Sequence, residues 1–472
     1  MHPHSTLEHA LVPVPSDSLH PPRYVHVQTF GCQMNVYDTD RIFQALEPFN
    51  YTPTDDPARA NLILLNTCSV RDKAEQKMMS QLGRLAPLKE YNDDLVLGVA
   101  GCVAQQEGER LLKKIPYLDL VFGPDHVQDL PKLLDRVRSQ EGRVSETTFF
   151  KRNNYEFIEA KPREASERVS EFVTIMKGCD KVCTFCIVPF TRGREVSKSR
   201  ELIVKEVENL VAVGVKEVTL LGQNVNSYGK DKDREVHFDE LLRAVDEIEG
   251  LERVRFTTSH PMDCTDGLVD CFGELRTLAE YFHLPVQSGS DRVLEAMRRH
   301  YTIEHYRDRV ARLRERAPDI ALSTDIIVGF PGETEAEFEE TMALLREVRY
   351  DSIFAFKYSP RPNTKAAEME DTVPEPEKTR RLDEVLKLQN QITAEKMMTY
   401  AGKTLEILVE GPSRSVDKGQ SSEWQMMGRT RTNVIVNFRV PMGDFWSNRL
   451  KGQLVQIRID QAKAHSLYGE MV

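Results

Sequence analysis

Residues 178–193, GCDKVCTFCIVPFTRG, hold three of the chain's eight cysteines directly after the strand-like run EFVTIM (171–176). Cys179, Cys183 and Cys186 have the spacing C-x3-C-x2-C. Three thiolates on one short loop can bind three irons of a cubic iron–sulfur cluster and leave the fourth iron open to a ligand. Structural zinc is the alternative, but zinc sites usually take a fourth Cys or His and favour paired C-x2-C spacing. The spacing favours the cluster.

The cysteine loop follows the first of six strand-like runs, each succeeded by a segment with helical spacing of apolar residues. This rhythm predicts an α/β fold, a partial (β/α)6 barrel of the TIM type over residues 169–398, whose last part is a charged helix near 375–400. The six runs are EFVTIM (171–176), KEVTLLG (216–222), RVRFTT (253–258), EYFHLP (280–285), ALSTDIIVG (321–329) and SIFAFKY (352–358).

Residues 23–139 alternate strand and helix in the same way, which predicts a parallel, Rossmann-like α/β domain. Residues 1–22, rich in His, Pro and Ser, are interpreted as a disordered leader, and the polar, aperiodic residues 140–168 as a linker. The strand-like runs of the domain are YVHVQTF (24–30), NLILLNT (61–67), DLVLGVA (94–100) and LDLVF (118–122).

Three further cysteines, Cys32, Cys68 and Cys102, each follow one of these runs and precede a helical segment. The carboxyl ends of parallel strands share one edge of the sheet, so these cysteines can meet there. Gly31 and Gly101 would allow close backbone approach. Buried structural thiols are the alternative, but three equivalent positions favour a second metal site. Cys264 and Cys271 have no partners at ligand spacing.

The C-terminal part differs from the rest in both pattern and charge. TLEILVEG (404–411), VIVNF (434–438) and LVQIRI (454–459) predict a small closed β-barrel over residues 399–465, followed by a tail at 466–472. Residues 399–472 hold ten Lys and Arg against seven Asp and Glu, whereas the remainder holds 53 against 67. A basic module on an acidic body is compatible with RNA binding.

The bulk composition narrows the class of protein. The 472 residues suggest two to four domains, and no apolar run is long enough to span a membrane. The N-terminus has neither a basic start nor the arginines of a targeting segment, so a reducing, cytoplasmic location is predicted. In that compartment eight cysteines serve metals or catalysis more often than disulfides.

Taken together, these motifs resemble the radical S-adenosylmethionine (SAM) methylthiotransferase family over residues 23–465. Phe185 completes the C-x3-C-x-aromatic-C pattern of the radical SAM superfamily. The resemblance implies an N-terminal iron–sulfur domain, a radical SAM domain and a C-terminal TRAM barrel. It also implies two 4Fe-4S clusters, with ligands Cys32, Cys68 and Cys102 for one and the 179/183/186 set for the other, and SAM as cofactor.

Several segments are similar to the branch of this family that modifies N6-dimethylallyladenosine at position 37 of tRNA, next to the anticodon. That branch adds a methylthio group at carbon 2, using SAM as methyl donor and as radical source. An electron donor of flavodoxin type and a sulfur donor are implied as partners. The segments are TFGCQMN (29–35), CIVPFTRGRE (186–195), LLGQNVNSYG (220–229), SHP (259–261), HLPVQSGS (283–290) and TDIIVGFPGETE (324–335).

Two kinds of alternative stay open. The same chemistry on threonylcarbamoyladenosine or on a ribosomal-protein aspartate is the nearest. A metal-stabilised RNA-binding protein without catalysis is the other, with the C-terminal barrel as its functional part.

Individual contacts are predicted from position. Gln223 and Asn224 stand where superfamily members often carry an acidic residue, and a plain strand-to-helix turn is equally compatible. His260 and His283 at strand ends could contact SAM or substrate, or fill the barrel. The residues predicted to bind SAM are Phe185, Gln223, Asn224, His260, Gln287 and Asp325.

RNA contacts are predicted for Lys403, Arg429 and Arg431. The two arginines alternate in GRTRTNVIVNF and are expected to share one strand face that meets phosphates. A solvated strand edge is the alternative. Deletion of residues 399–472 is expected to weaken tRNA binding and to leave SAM cleavage intact.

Overall fold

The computed structural model describes residues 23–69, 72–151, 155–158, 168–232, 236–413, 424–441, 446 and 449–472. The predicted disordered leader therefore lies outside the described residues. The chain divides into two compact units. Unit 1 comprises Met1–Ala160 with Val188–Arg194, and unit 2 comprises Lys161–Ile187 with Glu195–Val472.

Unit 1 is built on a six-stranded parallel sheet with strand order β2-β1-β3-β4-β5-β6. All four predicted strands are confirmed. β2 and β6 were not predicted because neither lies in an apolar run, and β6 lies inside the segment predicted to be a linker. The strands are β1 (Arg23–Phe30), β2 (Tyr51–Pro53), β3 (Leu62–Thr67), β4 (Val96–Ala100), β5 (Leu120–Phe122) and β6 (Val144–Glu146).

Helices cover both faces of this sheet, and separate apolar clusters lie on its two sides. That arrangement explains why β3 and β4 are buried along their whole length, as expected for central strands of a parallel sheet. The helices are α1 (Gln33–Leu46), α2 (Asp72–Leu85), α3 (Cys102–Glu107), α4 (Glu109–Lys114), α5 (Leu130–Arg136) and α6 (Val188–Thr191).

Unit 2 contains the predicted partial barrel, and all six expected strands are present. They form two three-stranded parallel sheets, β11-β10-β7 and β12-β13-β14, with one parallel bridge from Val254 to Leu278 beside them. A separate antiparallel pair is formed by β8 and β9. The eight strands of both kinds are β7 (Ser170–Thr174), β8 (Met176–Lys177), β9 (Val196–Ser197), β10 (Glu217–Leu221), β11 (Arg253–Phe256), β12 (Tyr281–His283), β13 (Ala321–Val328) and β14 (Ser352–Lys357).

Seven helices of the described chain pack on the outside of these strands or follow them. The predicted charged helix is α13. Their bounds are α7 (Arg200–Ala212), α8 (Phe238–Asp246), α9 (Asp266–Glu274), α10 (Asp291–Ala296), α11 (Ile303–Arg316), α12 (Glu335–Val348) and α13 (Glu375–Met398).

Strand alternation separates a helix-facing side from an inner side. Residues such as Val218, Phe256 and Ile326 lie in the core beneath the helices. Their strand neighbours therefore point to the inner side of the partial barrel. These inner positions include Glu217, Arg253, Arg255, Tyr281, His283, Ser323, Asp325, Phe354 and Phe356.

The C-terminal segment forms a closed five-stranded barrel of order β15-β16-β17-β19-β18, as predicted. The expected tail at 466–472 is wrong, because β19 lies there and pairs with both β17 and β18. Its short run of alternating burial was too weak a signal. The strands are β15 (Thr404–Pro412), β16 (Gln425–Arg429), β17 (Ile435–Arg439), β18 (Leu454–Ala462) and β19 (Leu467–Met471).

A turn of this barrel, residues 430–433, contacts the amino-terminal ends of the inner strands. Arg255, buried and paired with Glu217 at 2.9 Å, donates to the carbonyls of Thr430 and Arg431, both at 2.8 Å. Arg253, also buried, donates to the carbonyl of Arg429 at 2.5 Å. The end of β16 and the turn that follows it thus accept hydrogen bonds from two buried guanidinium groups.

Candidate functional site

The three N-terminal cysteines, here called the N-terminal triad, follow three adjacent strands of the sheet. Cys32 precedes α1, Cys68 follows β3, and Cys102 begins α3. The Cys68 amide donates to the Phe30 carbonyl at 2.8 Å, which joins the first two strand ends. A Cβ at Gly31 would lie 2.5 Å from Cβ of Cys68, so the backbone approach predicted there is confirmed.

A buried amide network fixes these strand ends. Asn35 Nδ2 donates to Asn66 Oδ1 at 3.1 Å, and Asn66 Nδ2 donates to the Asn35 carbonyl at 2.9 Å. Gly101, with φ of +87°, would place a Cβ 2.4 Å from Asn66 Oδ1. Only glycine therefore fits the turn that brings Cys102 beside the other two cysteines.

The N-terminal triad lies beside a buried cation. Arg192 is 5 % exposed and pairs with Asp38 at 2.5 Å. A hydrogen bond from Cys68, followed by the charge of Arg192, lowers the pKa of Cys32 to about 6 despite its desolvation. Burial raises the pKa of Cys102, and Arg192 opposes that rise. Arg192 therefore favours thiolates at this site.

The other three cysteines, the central triad, lie on the loop after β8. Cys179 is buried, whereas Cys183 and Cys186 are half-buried. The Cys186 amide donates to the Cys183 carbonyl at 3.2 Å. Thr184 ties the loop to the end of α10, since its Oγ1 donates to the Ala296 carbonyl at 2.9 Å.

Burial at the central triad disfavours a free Cys179 thiolate. Burial, together with the neighbouring thiols of Cys186 and Cys183, raises the pKa of Cys179 to about 12. A metal centre deprotonates a coordinating thiol outright, which removes that cost. The buried Arg299 donates to Cys183 Sγ at 3.4 Å and supplies a second positive charge. The donor set therefore fits a cluster with three thiolate ligands.

No three His, Cys, Asp or Glu side chains of the described residues converge as ligands of one metal ion. Cluster thiolates bind different irons, so they need not point at a single atom. Cys264 and Cys271 are buried in the core of unit 2, in agreement with a structural interpretation.

Polar atoms without hydrogen-bond partners gather near the Cys179 end of the loop. The Gly178 amide donates to Gln223 Oε1, while Gln223 Nε2 is buried and unsatisfied. Asn224 Nδ2 donates to Asp263 at 2.7 Å, while its Oδ1 is unsatisfied. The unsatisfied donor of Gln223 suits the carboxylate group of an amino-acid ligand, and the unsatisfied acceptor of Asn224 suits its amino group.

A third unsatisfied atom is Oε1 of Glu195, a residue only 4 % exposed. Its amide donates to Asp180 Oδ1 at 3.1 Å, which places it beside the central triad. Burial, reinforced by Asp180, Asp231 and Asp263, raises the pKa of Glu195 to about 7. Asp263 itself is paired with Lys181 and Lys230, and a side-chain hydrogen bond with Ser227 opposes the rise in the pKa of Glu195.

The remaining predicted SAM contacts have other partners. Phe185 packs against an apolar cluster that includes Met297 and Phe330. His260 is buried, its Nδ1 accepts from the Met262 amide at 3.2 Å, and burial holds its pKa well below the ordinary value. Gln287 has φ of +71°, and its backbone pairs with Asp325 and Ile327. Their SAM contacts stay predictions.

Asp325 and His283 form a pair on the inner side of the barrel. His283 Nε2 lies 3.5 Å from Asp325 Oδ1, and His283 Nδ1 lies 2.9 Å from Ser323 Oγ. The Asp325 side chain is 30 % exposed. This pair can face a bound molecule.

The predicted RNA-binding arginines have intramolecular partners. Arg431 pairs with Glu280 at 2.7 Å and donates to the carbonyls of Arg276 and Leu278. Arg429 pairs with Glu410 at 2.9 Å. The shared strand face is wrong, because β16 ends at Arg429 and Arg431 lies in the following turn. Lys403 is exposed, with its ammonium 5.8 Å from the Tyr400 ring.

Sequence reasoning misses Arg192, Glu195 and Arg299. Arg192 and Glu195 lie in TRGRE, shortly after the central triad. Charged residues so close to a metal-binding motif are the sequence signal by which these two could have been found. Arg299 offers no such signal, because its approach to Cys183 depends on the fold.

Three family models match the chain in the predicted order. Residues 24–123 match the Uncharacterized protein family UPF0004, residues 173–345 the Radical SAM superfamily and residues 398–472 the TRAM domain. None of the helices in the described parts is long and apolar enough to cross a membrane.

Full-length relatives share nearly half of their residues with the chain. The tRNA-2-methylthio-N(6)-dimethylallyladenosine synthase of Myxococcus xanthus is 49% identical, over 94% of this chain and 93% of that protein. The synthases of the same name from Geobacter sulfurreducens and Carboxydothermus hydrogenoformans are 48% and 46% identical, over 95% of this chain and 98% and 99% of theirs.

Among solved structures, the radical S-adenosylmethionine methyltransferase TsrM from Kitasatospora setae superposes with a TM-score of 0.57 at 15% identity. The match covers 73% of this chain and 75% of that one. At this identity the likeness shows the fold alone.

Proposed function

The chain belongs to the tRNA-2-methylthio-N(6)-dimethylallyladenosine synthase family, and on that basis we propose that its two cysteine triads hold two 4Fe-4S clusters with different roles. The protein is a radical SAM methylthiotransferase acting on tRNA, with a 4Fe-4S cluster and SAM as cofactors. Its product is the 2-methylthio derivative of N6-dimethylallyladenosine. The threonylcarbamoyladenosine, aspartate and non-catalytic alternatives are not favoured.

The central triad would hold the cluster that binds SAM. Gln223, Asn224 and Glu195 would hold the amino and carboxylate groups of the cofactor, since each carries a buried polar atom without a partner. When bound, the cluster and SAM together supply the methyl group and the carbon radical that removes hydrogen from carbon 2. Arg299 balances the charge of the Cys183 thiolate.

The N-terminal triad would hold a second cluster that presents the sulfur to be transferred. The observation that carries this proposal is the meeting of Cys32, Cys68 and Cys102 at three adjacent strand ends beside the buried Arg192. Three ligands rather than four leave one iron for sulfur. A sulfur donor and a flavodoxin-type electron donor complete the reaction, and a cytoplasmic location follows from the tRNA substrate.

Removing the central triad tests the two-cluster model. The variant Cys179→Ala/Cys183→Ala/Cys186→Ala should retain about half of the iron and lose SAM cleavage entirely, because only one of the two ligand sets is removed. Iron and sulfide are counted after anaerobic reconstitution, with Cys264→Ala as the matched control. Loss of all the iron would contradict two independent sites.

The complementary variant is Cys32→Ala/Cys68→Ala/Cys102→Ala. It should cleave SAM reductively, because the central triad is intact, yet form no methylthiolated RNA. Deoxyadenosine release and nucleoside composition of the RNA are measured together. Formation of methylthiolated product by this variant would show that the N-terminal triad does not hold the sulfur.

A further inference from the structure

Two phenylalanines on the last strand of the partial barrel are exposed although they stand on its inner side. Phe354 and Phe356 are 47 % and 41 % exposed. Their neighbours Ile353 and Ala355 pack against the core beneath the helices, so alternation along β14 directs the two rings inward. The two exposed rings form an apolar surface that an apolar ligand can cover.

The apolar surface extends to the next strand and towards the cysteine loop. In the β13–β14 register, Asp325 stands beside Phe354 and Ile327 beside Phe356. Ile327 is half-buried and packs against the same apolar cluster as Phe185, the residue before Cys186. The inner wall formed by Ile327, Phe354 and Phe356 is therefore connected through one cluster to the central triad.

A polar pair borders this wall. The His283 ring meets the Phe354 ring edge to face, with centroids 5.8 Å apart. His283 also lies 3.5 Å from Asp325, whose partly exposed carboxylate can accept a hydrogen bond. Apolar rings directly beside an acceptor match a ligand in which an apolar branch is attached to an N–H group.

An N6-alkylated adenine is such a ligand, because its alkyl branch is bonded to the exocyclic nitrogen that still carries a hydrogen. Building on the proposed function, we propose that Ile327, Phe354 and Phe356 bind the dimethylallyl branch of the substrate base, with Asp325 and His283 facing its exocyclic N–H. These residues make the enzyme specific for prenylated tRNA.

The proposed inner wall predicts that the protein binds prenylated RNA measurably more tightly than unprenylated RNA. Burying a five-carbon branch gains about a hundredfold or more in affinity relative to unmodified adenine. Truncating either ring to alanine removes part of that burial and should cost about tenfold in affinity for prenylated RNA. Affinity for unprenylated RNA should change little, because phosphate contacts carry no information about the base.

The experiment compares two anticodon stem-loop RNAs that differ only in the dimethylallyl group. Dissociation constants are measured anaerobically with the reconstituted protein and with Phe354→Ala, Phe356→Ala and the conservative Phe354→Leu and Phe356→Leu. Tyr91→Ala, which truncates an aromatic ring that is 85 % exposed in unit 1, is the matched control. Iron content and thermal unfolding are recorded for each variant.

We expect the affinity ratio of prenylated to unprenylated RNA to fall about tenfold in each alanine variant and to be largely retained in the leucine variants and in Tyr91→Ala. An unchanged ratio in both alanine variants overturns the pocket, as does an equal loss for both RNAs. If the unsubstituted protein neither binds nor converts prenylated RNA in preference to unprenylated RNA, both the assigned substrate and the proposed pocket are contradicted.

Discussion

Glu195 shows how a carboxylate can reach the proposed SAM site when the local motif lacks one. Gln223 and Asn224 occupy the place where the family resemblance implies an acidic residue, and the sequence predicted no replacement. The structure ties Glu195 to the cysteine loop through the hydrogen bond from its amide to Asp180, with one carboxylate oxygen unsatisfied. Its closeness to the cysteine motif was a signal in the sequence, but its contact with Asp180 depends on the tertiary fold.

The proposed contact of Glu195 with SAM predicts that SAM binding depends on pH. Its pKa is raised to about 7 by burial, and Asp180, Asp231 and Asp263 face it. The folded protein therefore holds this proton more tightly than the unfolded chain does, and the contribution of Glu195 to stability falls as pH rises from 4.5 to about 7. A bound ammonium group favours the ionised form, so SAM affinity should weaken as pH falls below about 7.

Glu195→Gln should lose that dependence and bind SAM about tenfold more weakly, because a charge-assisted hydrogen bond is replaced by a neutral one. Equilibrium dialysis of SAM with the reconstituted protein between pH 6 and 8 measures both effects. Glu201→Gln, on the exposed face of α7, is the matched control. If Glu195→Gln retains the pH profile of the unsubstituted protein, another group is responsible.

Among the secondary-structure elements, the presence of an apolar run decided what the sequence could predict. The predicted strands of the two α/β regions, including the three-residue β5 and β12, all lie in such runs. β2 and β6 were missed because neither lies in an apolar run. β19 was mistaken for a tail because Leu467 and Gly469 are its only buried positions, and pairing with two distant strands completes it.

The turn after β16 shows that charge alone does not predict which partner a basic residue contacts. Its arginines were predicted to meet RNA because of their charge, whereas Arg431 makes a salt bridge to Glu280 and two hydrogen bonds to backbone carbonyls. A basic residue near a barrel strand looks the same in sequence whether it faces a phosphate or a neighbouring carboxylate. An RNA contact by Arg431 stays a prediction.

Arg431→Ala should therefore destabilise the protein by about 1–3 kcal/mol, since it leaves Glu280 and two carbonyls without their donor. Differential scanning calorimetry of the full chain measures the loss as a lower Tm. Arg458→Ala, which removes an exposed guanidinium paired at 3.5 Å with Glu470 and Asp460, should change stability by less than about 1 kcal/mol. Equal effects of the two substitutions would show that the turn is not an anchor.

For the molecule as a whole, the six cysteines stay predicted cluster ligands, whereas the fold class of each region was accessible from sequence because its strands and helices follow a readable period. The attachment of the C-terminal barrel was not. Buried Arg253 and Arg255 donate to carbonyls of residues 429–431, and nothing in the sequence pairs an inner strand with a turn about 175 residues later.

This attachment changes the expected effect of deleting residues 399–472. The deletion should still weaken tRNA binding, but it also removes the backbone carbonyls of residues 429–431 that accept hydrogen bonds from Arg253 and Arg255. We expect a lower Tm and reduced cluster occupancy in the truncated protein. Calorimetry and iron analysis of the deletion variant check this. A truncated protein as stable as the full chain would show that the arginines find other partners.

Because Arg253 and Arg255 donate to carbonyls of residues 429–431, these hydrogen bonds can form only after that part of the chain has been synthesised. All six strands of the partial barrel have been synthesised by residue 357, yet the carbonyls that accept from Arg253 and Arg255 are made only about 75 residues later. At typical translation speeds that delay is roughly 4–15 s. A premature stop codon before residue 429 would therefore release a partial barrel whose Arg253 and Arg255 lack these acceptors.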